Sequence, residues 1–377
     1  MKTKEKMETY FELVPDFRRK THITYKLSDI LFIFVCGLLC GLTSYEAISD
    51  LAEMRWDFFK KYISNKRPPC ENTLRTVFGS LNPERLELCL IGIFRNVFCI
   101  DIPKKERQIA IDGKVICGEK AIHIVTAMVT DEWLSLGQVI VEKKSNEIPA
   151  VQELLDILNI NGDVITFDAM HAQKDTLEKV IEKKGDYVVQ VKRNQKTFYE
   201  DIEGLFALGK AAETWRTTEK GHGRREVRIC SVLPDEFVDK DYFEGWAGIK
   251  KIFKVERQVE KDGKTTNETS YYISSKKGSA EKLLSYTRKH WQIESMHWVL
   301  DKVLGEDGSF LRDENAQDCM NRMRKFAACV MKKYIEQVKP RKKSIAGNMR
   351  LCLLSADHLE KVLNFFLFSF ILQFYYV

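Results

Sequence analysis

Three acidic residues stand where ordinary packing does not favour them. Asp112 interrupts an apolar run, QIAIDGKVI at 108–116. Asp168 closes the apolar stretch VITFD at 164–168, and Glu294 sits inside the helical pattern SYTRKHWQIESMHWVLDK at 285–302. A buried carboxylate costs several kcal/mol unless something pairs with it. Three carboxylates that converge would repel and take up protons unless divalent cations neutralised them. Mg²⁺ suits such a site, because it is hard and is held by a few carboxylates together with water and substrate phosphates. Two such ions ~4 Å apart can activate a water or a 3′-hydroxyl and stabilise the departing oxygen of a phosphodiester. Taken singly, each acid has a plainer reading: a strand-end Asp is often a turn cap, and a helical Glu is often a surface charge.

The residues around these acids extend the pattern. Spacings of three and four share a helix face, so His290, Trp291, His297 and Trp298 fall beside Glu294, with Asp301 two turns on. The pattern predicts a face turned toward chemistry. The tryptophans are either stacking platforms for an unpaired base or core side chains. Lys114 lies two residues past Asp112 and so on the same strand face; it contacts a phosphate or is a solvated edge lysine. His171 and Gln173 follow Asp168 closely and are read as neighbours that orient the substrate or the ligands. Lys192, Arg193, Asn194 and Gln195 come at the carboxyl end of the strand DYVVQV, where they suit DNA backbone and base contacts, unless they only form a polar turn. Arg224, Arg225 and Arg228 in GHGRREVR make a basic hairpin suited to phosphates, or else a plain exposed ribbon. The segment PPCENTLRTVFGSL resembles part of a helix-turn-helix, with Arg67 and Arg75 as candidate DNA contacts, or else is a generic short helix.

These residues need a scaffold. The first hundred residues read as helical: Thr43-Ser-Tyr-Glu46 is a capping box, and Asn82-Pro83 opens another helix with proline at its first position. After Pro103 the pattern changes to three strands, 107–117, 122–130 and 134–143, rich in β-branched residues. Helix 148–160, strand VITFD, helix 172–184, strand DYVVQVK and helix TFYEDIEGLFALG follow. This order predicts a mixed α/β sheet with helical faces. Residues 210–275 read as β-rich hairpins inserted before the long helices 279–303 and 314–338; Ser279 caps the first of these. The expected divisions are therefore 1–102, 103–338 with the insertion at 210–275, and a C-terminal tail at 339–377.

Composition limits the partners. The 377-residue chain is 44% hydrophobic and 30% charged, as globular proteins are. A net charge of +6 permits an anionic partner without requiring one. The ten cysteines form no CxxC pair and no metal spacing, which predicts reduced thiols and a cytoplasmic setting. Two uncharged runs, 30–42 and 365–377, fall short of the ~20 residues a membrane span needs. The first is expected to be a core helix. The second is either a buried final segment or a read-through tail.

Longer phrases strengthen the metal reading. IAIDGKVICG, KSNEIPAVQELLDILNINGDVITFDAMHAQ, GDYVVQVKRNQ, GHGRREVR, YYISS and RKHWQIESMHWVLDKVLGED resemble, in order, the bacterial insertion-sequence transposases of the DDE type, in the branch of H-repeat-associated proteins. The resemblance covers residues ~10–362. It implies an RNase H-like core with a β-rich insertion and an N-terminal helical domain that is a candidate DNA binder. It also implies Mg²⁺, replaceable by Mn²⁺, on Asp112, Asp168 and Glu294, with DNA as partner. Pairing two element ends makes a homodimer on DNA the expected assembly. Related transposases carry a Tyr–Arg–Glu–Lys signature around the Glu. Here His290 stands four residues before Glu294 and Asp301 seven after it, so the signature is not met at those positions, and Arg288 and Lys289 are the candidates for the phosphate contacts.

Overall fold

The computed structural model describes residues 11–368 except 13, 17, 19–22, 99–105, 118–120, 142–146, 222, 239–242 and 310. The expected break at 102 and residues 369–377 of the terminal apolar run lie outside the described residues. Strands β1 (Gln108–Ile116), β2 (Ile122–Val129) and β3 (Leu134–Val141) form an antiparallel meander. On its other side β1 pairs in parallel with β4 (Val164–Phe167), which pairs in parallel with β5 (Asp186–Val191). Helix α6 (Glu147–Ile157) connects β3 to β4, and α7 (Lys174–Glu182) connects β4 to β5. Successive strands that run parallel need such crossovers, because a tight turn cannot reverse the chain twice.

After α8 (Lys196–Leu208) come β6 (Glu213–Gly221), β7 (Arg224–Val232), β8 (Lys251–Lys261) and β9 (Lys264–Ser274). These are not a detached insertion. β9 adds antiparallel to the open edge of β5, giving one nine-stranded sheet among the described residues, in the order β3-β2-β1-β4-β5-β9-β8-β7-β6. An unpaired strand edge is a ready template for another strand, and the inserted meander occupies it.

Helices cover both faces. α6, α7 and α8 pack Val151, Leu154, Leu177, Val180 and Ile202 against Ile109, Ile111, Ile165 and Val189. The other face carries α9 (Ala280–Lys302) and α10 (Glu314–Val338). The N-terminal helices share that second core: α1 (Leu27–Leu39), α2 (Tyr45–Met54), α3 (Trp56–Phe59), α4 (Glu71–Ser80) and α5 (Pro83–Phe98). Every residue of α1 is buried, Asp29 in its first turn included; the uncharged run from residue 30 onward forms the core helix expected of a stretch too short to span a bilayer. After α10 the chain forms α11 (Ile345–Leu354) and α12 (Ala356–Phe368), which bury Met349, Cys352, Leu359, Val362, Leu363 and Phe366 in the same core. Among the described residues no helix is long and apolar enough to cross a membrane, and the described cysteines are free.

Candidate active site

Strand register brings the first two acids together. β1 and β4 pair in parallel as Gln108 with Val164 through Ile111 with Phe167. Asp112 and Asp168 each follow the last pair, on neighbouring strands ~4.8 Å apart. The carboxyl end of parallel strands is where open α/β sheets build sites. Asp168 leaves β4 and caps the turn Ala169–His171, where its side chain accepts a hydrogen bond from the Ala169 amide (2.8 Å).

Helix α9 brings the third acid. Its start is fixed by Ser279, whose hydroxyl accepts from the Lys282 amide. The helix then tracks β1: Gln108 Nε2 donates to the Tyr286 carbonyl (2.7 Å), His297 Nδ1 stands 3.6 Å from Asp112 Oδ2, and Lys114 pairs with Asp301. Six strand residues span ~20 Å and fifteen helical residues ~22 Å, so the two elements stay in step. Glu294, one turn before His297, therefore lies near the level of Asp112 and the end of β4. Asp112, Asp168 and Glu294 line one open cleft of about 590 Å³, together with Lys192, Arg224, Arg228, Arg257, Arg288, His290 and Trp291.

The six-residue face expected around Glu294 is two adjacent columns. Trp291, Glu294 and Trp298 look outward, the tryptophans 60% and 59% exposed. His290, His297 and Asp301 look toward the sheet. Spacings of three and four drift by tens of degrees about the axis, enough to divide a broad face at the sheet boundary. His290 Nδ1 shares a hydrogen bond with Thr166 Oγ1 (3.0 Å). Burial drives the His290 imidazole down to about 4 and that of His297 to about 3, so both are neutral beside the acids.

The acids differ in charge state. Burial pushes the Asp112 carboxyl up to about 7, opposed by its hydrogen bond from the Gly113 amide and reinforced by Glu294, Asp168 and Glu147. Burial and then Asp168 raise Glu294. At Asp168 burial also works against ionisation, but the Ala169 amide and the Lys192 ammonium (3.0 Å) outweigh it and hold the carboxyl below its ordinary value. Among the described residues no three His, Cys, Asp or Glu side chains yet converge into a chelating group. The donor chemistry nonetheless suits a hard divalent cation: carboxylate oxygens, and crowded negative charge at Asp112 with no Lys or Arg partner inside 4 Å among the described residues. Lys192 is the cation that Asp168 has in hand.

Several expected DNA contacts turn inward. Lys114 is buried, and its ammonium is gripped by Asp301 and Glu306, so it faces protein rather than a phosphate. Strand parity set its face correctly, but the partners come from residues almost two hundred positions away. Asp301 serves this pair and does not reach the acids. Asn194 Nδ2 donates to the Ala169 carbonyl (3.0 Å) and Gln195 Nε2 to the Ala172 carbonyl (3.2 Å), so both brace the turn after Asp168. Gln173 closes that turn through the Met170 carbonyl. Lys192, Arg224, Arg228 and Arg288 do line the cleft. Lys289 instead pairs with Asp131.

His171 is buried and bonds Glu147, a residue that sequence reasoning missed; Glu147 also takes His123 Nε2 at 2.7 Å. Glu147 lies against Gly113, where an added Cβ would stand 2.4 Å from its carboxylate carbon. A glycine directly after Asp112 was the available sign that something packs there.

Comparison with known proteins gives the chain a family. A model of the DDE_Tnp_1-associated domain matches residues 8–93, and one of the transposase DDE domain matches residues 101–330. The H repeat-associated protein YhhI of Escherichia coli K12 is 33% identical, over 96% of this chain and 98% of its own length. YncI of Escherichia coli O157:H7 is 35% identical, over 90% of this chain and 91% of its own. Both names assign a transposase without asserting a demonstrated activity. A short relative, YbfQ of E. coli K12, is named an inactive transposase and is 37% identical over 16% of this chain and 73% of its own length. Likeness across nearly the whole chain, on a mixed sheet of the RNase H-like kind, leads to one conclusion: this protein belongs to the DDE transposase family of insertion sequences.

Proposed function

We propose that the protein cleaves DNA at the ends of its element and joins the freed 3′-hydroxyl to target DNA, with Asp112, Asp168 and Glu294 holding Mg²⁺, or Mn²⁺ in its place. The observation that carries this reading is the register that sets Asp112 and Asp168 on neighbouring strands, with Glu294 lining the same cleft. Bound there, the metal would lower the pKa of a water or 3′-hydroxyl and stabilise the departing oxygen. The chain's own residues do the rest. Asp112 would hold the metal as its carboxylate, and Asp168, paired with Lys192 in the free protein, would hold it in place of that ammonium, leaving Lys192 for a phosphate. Neutral His290 and His297 wall the acids without competing as cations. Asn194, Gln195 and Gln173 hold the Asp168 turn, and Glu147 with His171 ties that turn to the Asp112 strand. Arg224, Arg228 and Arg288 take the DNA backbone.

In this proposal residues 1–102 form an associated helical domain and 103–338 the catalytic domain, with two copies pairing the element ends on DNA. The test is a labelled element end incubated with a target plasmid and Mg²⁺. Wild type joins the two. Asp168→Ala loses joining by at least about a thousandfold, the range that metal-site chemistry commands, and still retards the labelled end in a gel. Cleavage without joining would make the protein a nuclease of the same fold. Joining at the wild-type rate by Asp168→Ala would overturn the assignment.

A further inference from the structure

The wall of the cleft opposite the acids holds an arrangement that folding alone does not favour. Arg228 on β7 and Arg257 on β8 are directly opposed cross-strand partners, and like charges in that position destabilise a sheet. Arg288 reaches the same patch from α9, paired with Glu219 of β6 (Nη2 to Oε2, 2.7 Å). Glu226, almost fully buried, lies beneath the group and binds Arg257, Arg228 (2.6 Å) and Arg224 (3.6 Å). Two polar atoms here are buried without a hydrogen-bond partner, Arg228 Nη1 and Thr217 Oγ1. They belong to residues that face each other across β6 and β7. Glu219, nearly half exposed, lies over this spot with its carboxylate 3.5 Å from Arg228 Nη1.

A buried carboxylate that organises several guanidinium groups from below, with an exposed one resting on them from above, is the geometry of an anion site occupied by a side chain. Guanidinium groups read carboxylates and phosphates with the same fork. We propose that Arg228, Arg257 and Arg288 form a subsite for one or two phosphates of a DNA strand, and that Glu219 is a placeholder which the strand displaces. The inference rests on the transposase reading and deepens it by adding Arg257 as a contact and Glu219 as an opponent of binding. Arg288 and Glu294 are six residues apart on α9, ~9 Å along its axis, which spans two to three nucleotides at ~3.4 Å each. The subsite therefore grips the strand a short way from the bond to be cut.

The test is equilibrium binding of the full chain to a short fluorescein-labelled DNA duplex of arbitrary sequence, in EDTA, across a salt series. Without metal no chemistry occurs, so the result is independent of whether the protein joins strands. Glu219→Gln is expected to bind severalfold more tightly. Arg257→Gln is expected to bind about tenfold more weakly, and the slope of log affinity against log salt should fall by about one. Inorganic pyrophosphate is the control ligand. Unchanged or weaker duplex binding by Glu219→Gln overturns the placeholder, as does an Arg257→Gln slope equal to wild type. Tighter binding of pyrophosphate alone overturns the strand subsite in favour of a small-anion pocket. Should Arg257→Gln lose its cooperative melt, Arg257→Lys replaces it; it keeps the charge but not the fork, and is expected to weaken binding while retaining the salt slope.

Discussion

Two groups of buried charge lie on the same face of the sheet, and they are built differently. Along α10 the buried charges are met by side chains of the protein itself. Arg322 binds Asp318 and Glu87, Lys325 binds Thr126 Oγ1 (2.7 Å) and Gln138, and Glu306 binds Lys114 and Asn321 (2.6 Å). At the cleft the charges are left open: Asp112 has neighbours of its own sign and a neutral histidine. Both groups obey the rule that a buried charge needs a partner. Where the chain supplies the partner, the result is architecture, and here it fastens the N-terminal helices to the sheet through Glu87. Where it does not, the partner is to come from outside.

Breaking the closed group should have the largest effect. Arg322→Ala leaves Asp318 and Glu87 facing each other without their cation, and removing one member of a buried pair costs about 3–5 kcal/mol. Guanidinium unfolding should show the midpoint falling accordingly, with the N-terminal helices and the sheet still melting together. A loss under about 1 kcal/mol would mean that the α10 charges are not a connected network.

The open group should respond with the opposite sign. The folded protein keeps a proton on Asp112 up to about pH 7, whereas an unfolded Asp releases it near 3.8. Ionised Asp112 therefore weakens the fold, and stability falls as pH rises from about 4 to 7 and is level above. Each tenfold difference in proton affinity between folded and unfolded chains is worth ~1.4 kcal/mol, and water in the open cleft reduces the whole to about 2 kcal/mol. His290 and His297, held neutral, contribute stability that rises with pH toward their ordinary value of 6.5. The informative quantity is thus the difference between wild type and Asp112→Asn. The variant should be the more stable at pH 7.5 and lose this advantage by pH 4. Saturating Mg²⁺ should remove the difference by stabilising wild type alone. Equal stabilities at both pH values would show that Asp112 is not strained.

This contrast also explains what could be read in advance. The order of β1 to β5, their helices and the Ser279 cap were legible, because period and capping are local signals. The placement of Asp112 within a strand and of Asp168 at the end of one was equally local. The union of β9 with β5 was not, since edge pairing is decided only in three dimensions. Lys114 shows the same limit: its face followed from strand parity, but Asp301 and Glu306 claimed it from a distant helix and turn. Glu147 and Arg257 were missed for a related reason. Glu147 works across from β2 and the Asp168 turn, and Arg257 lies in a β-rich stretch whose lysines and arginines look alike until register sorts them by face.

The smallest effect isolates burial itself. Arg75 and Glu71 on α4 have the same i, i+4 spacing as Arg322 and Asp318 on α10, and the same types of charge in similar order. The α4 side chains are 57% and 39% exposed, those on α10 only 4% and 6%. An exposed helical pair contributes ~0.3–0.5 kcal/mol, because water screens it and two long side chains must be held still. The Arg75 guanidinium also lies 5.4 Å from the Tyr45 ring centre, worth ~0.5 kcal/mol at an exposed site. Arg75→Ala should therefore cost about 1 kcal/mol or less in the unfolding assay used for Arg322→Ala, and raising salt to 1 M should shrink most of that loss while leaving the Arg322 loss intact. Two losses of similar size would mean that spacing and charge type, rather than exclusion of water, set the strength of these pairs, and the distinction between closed and open charge would lose its physical basis.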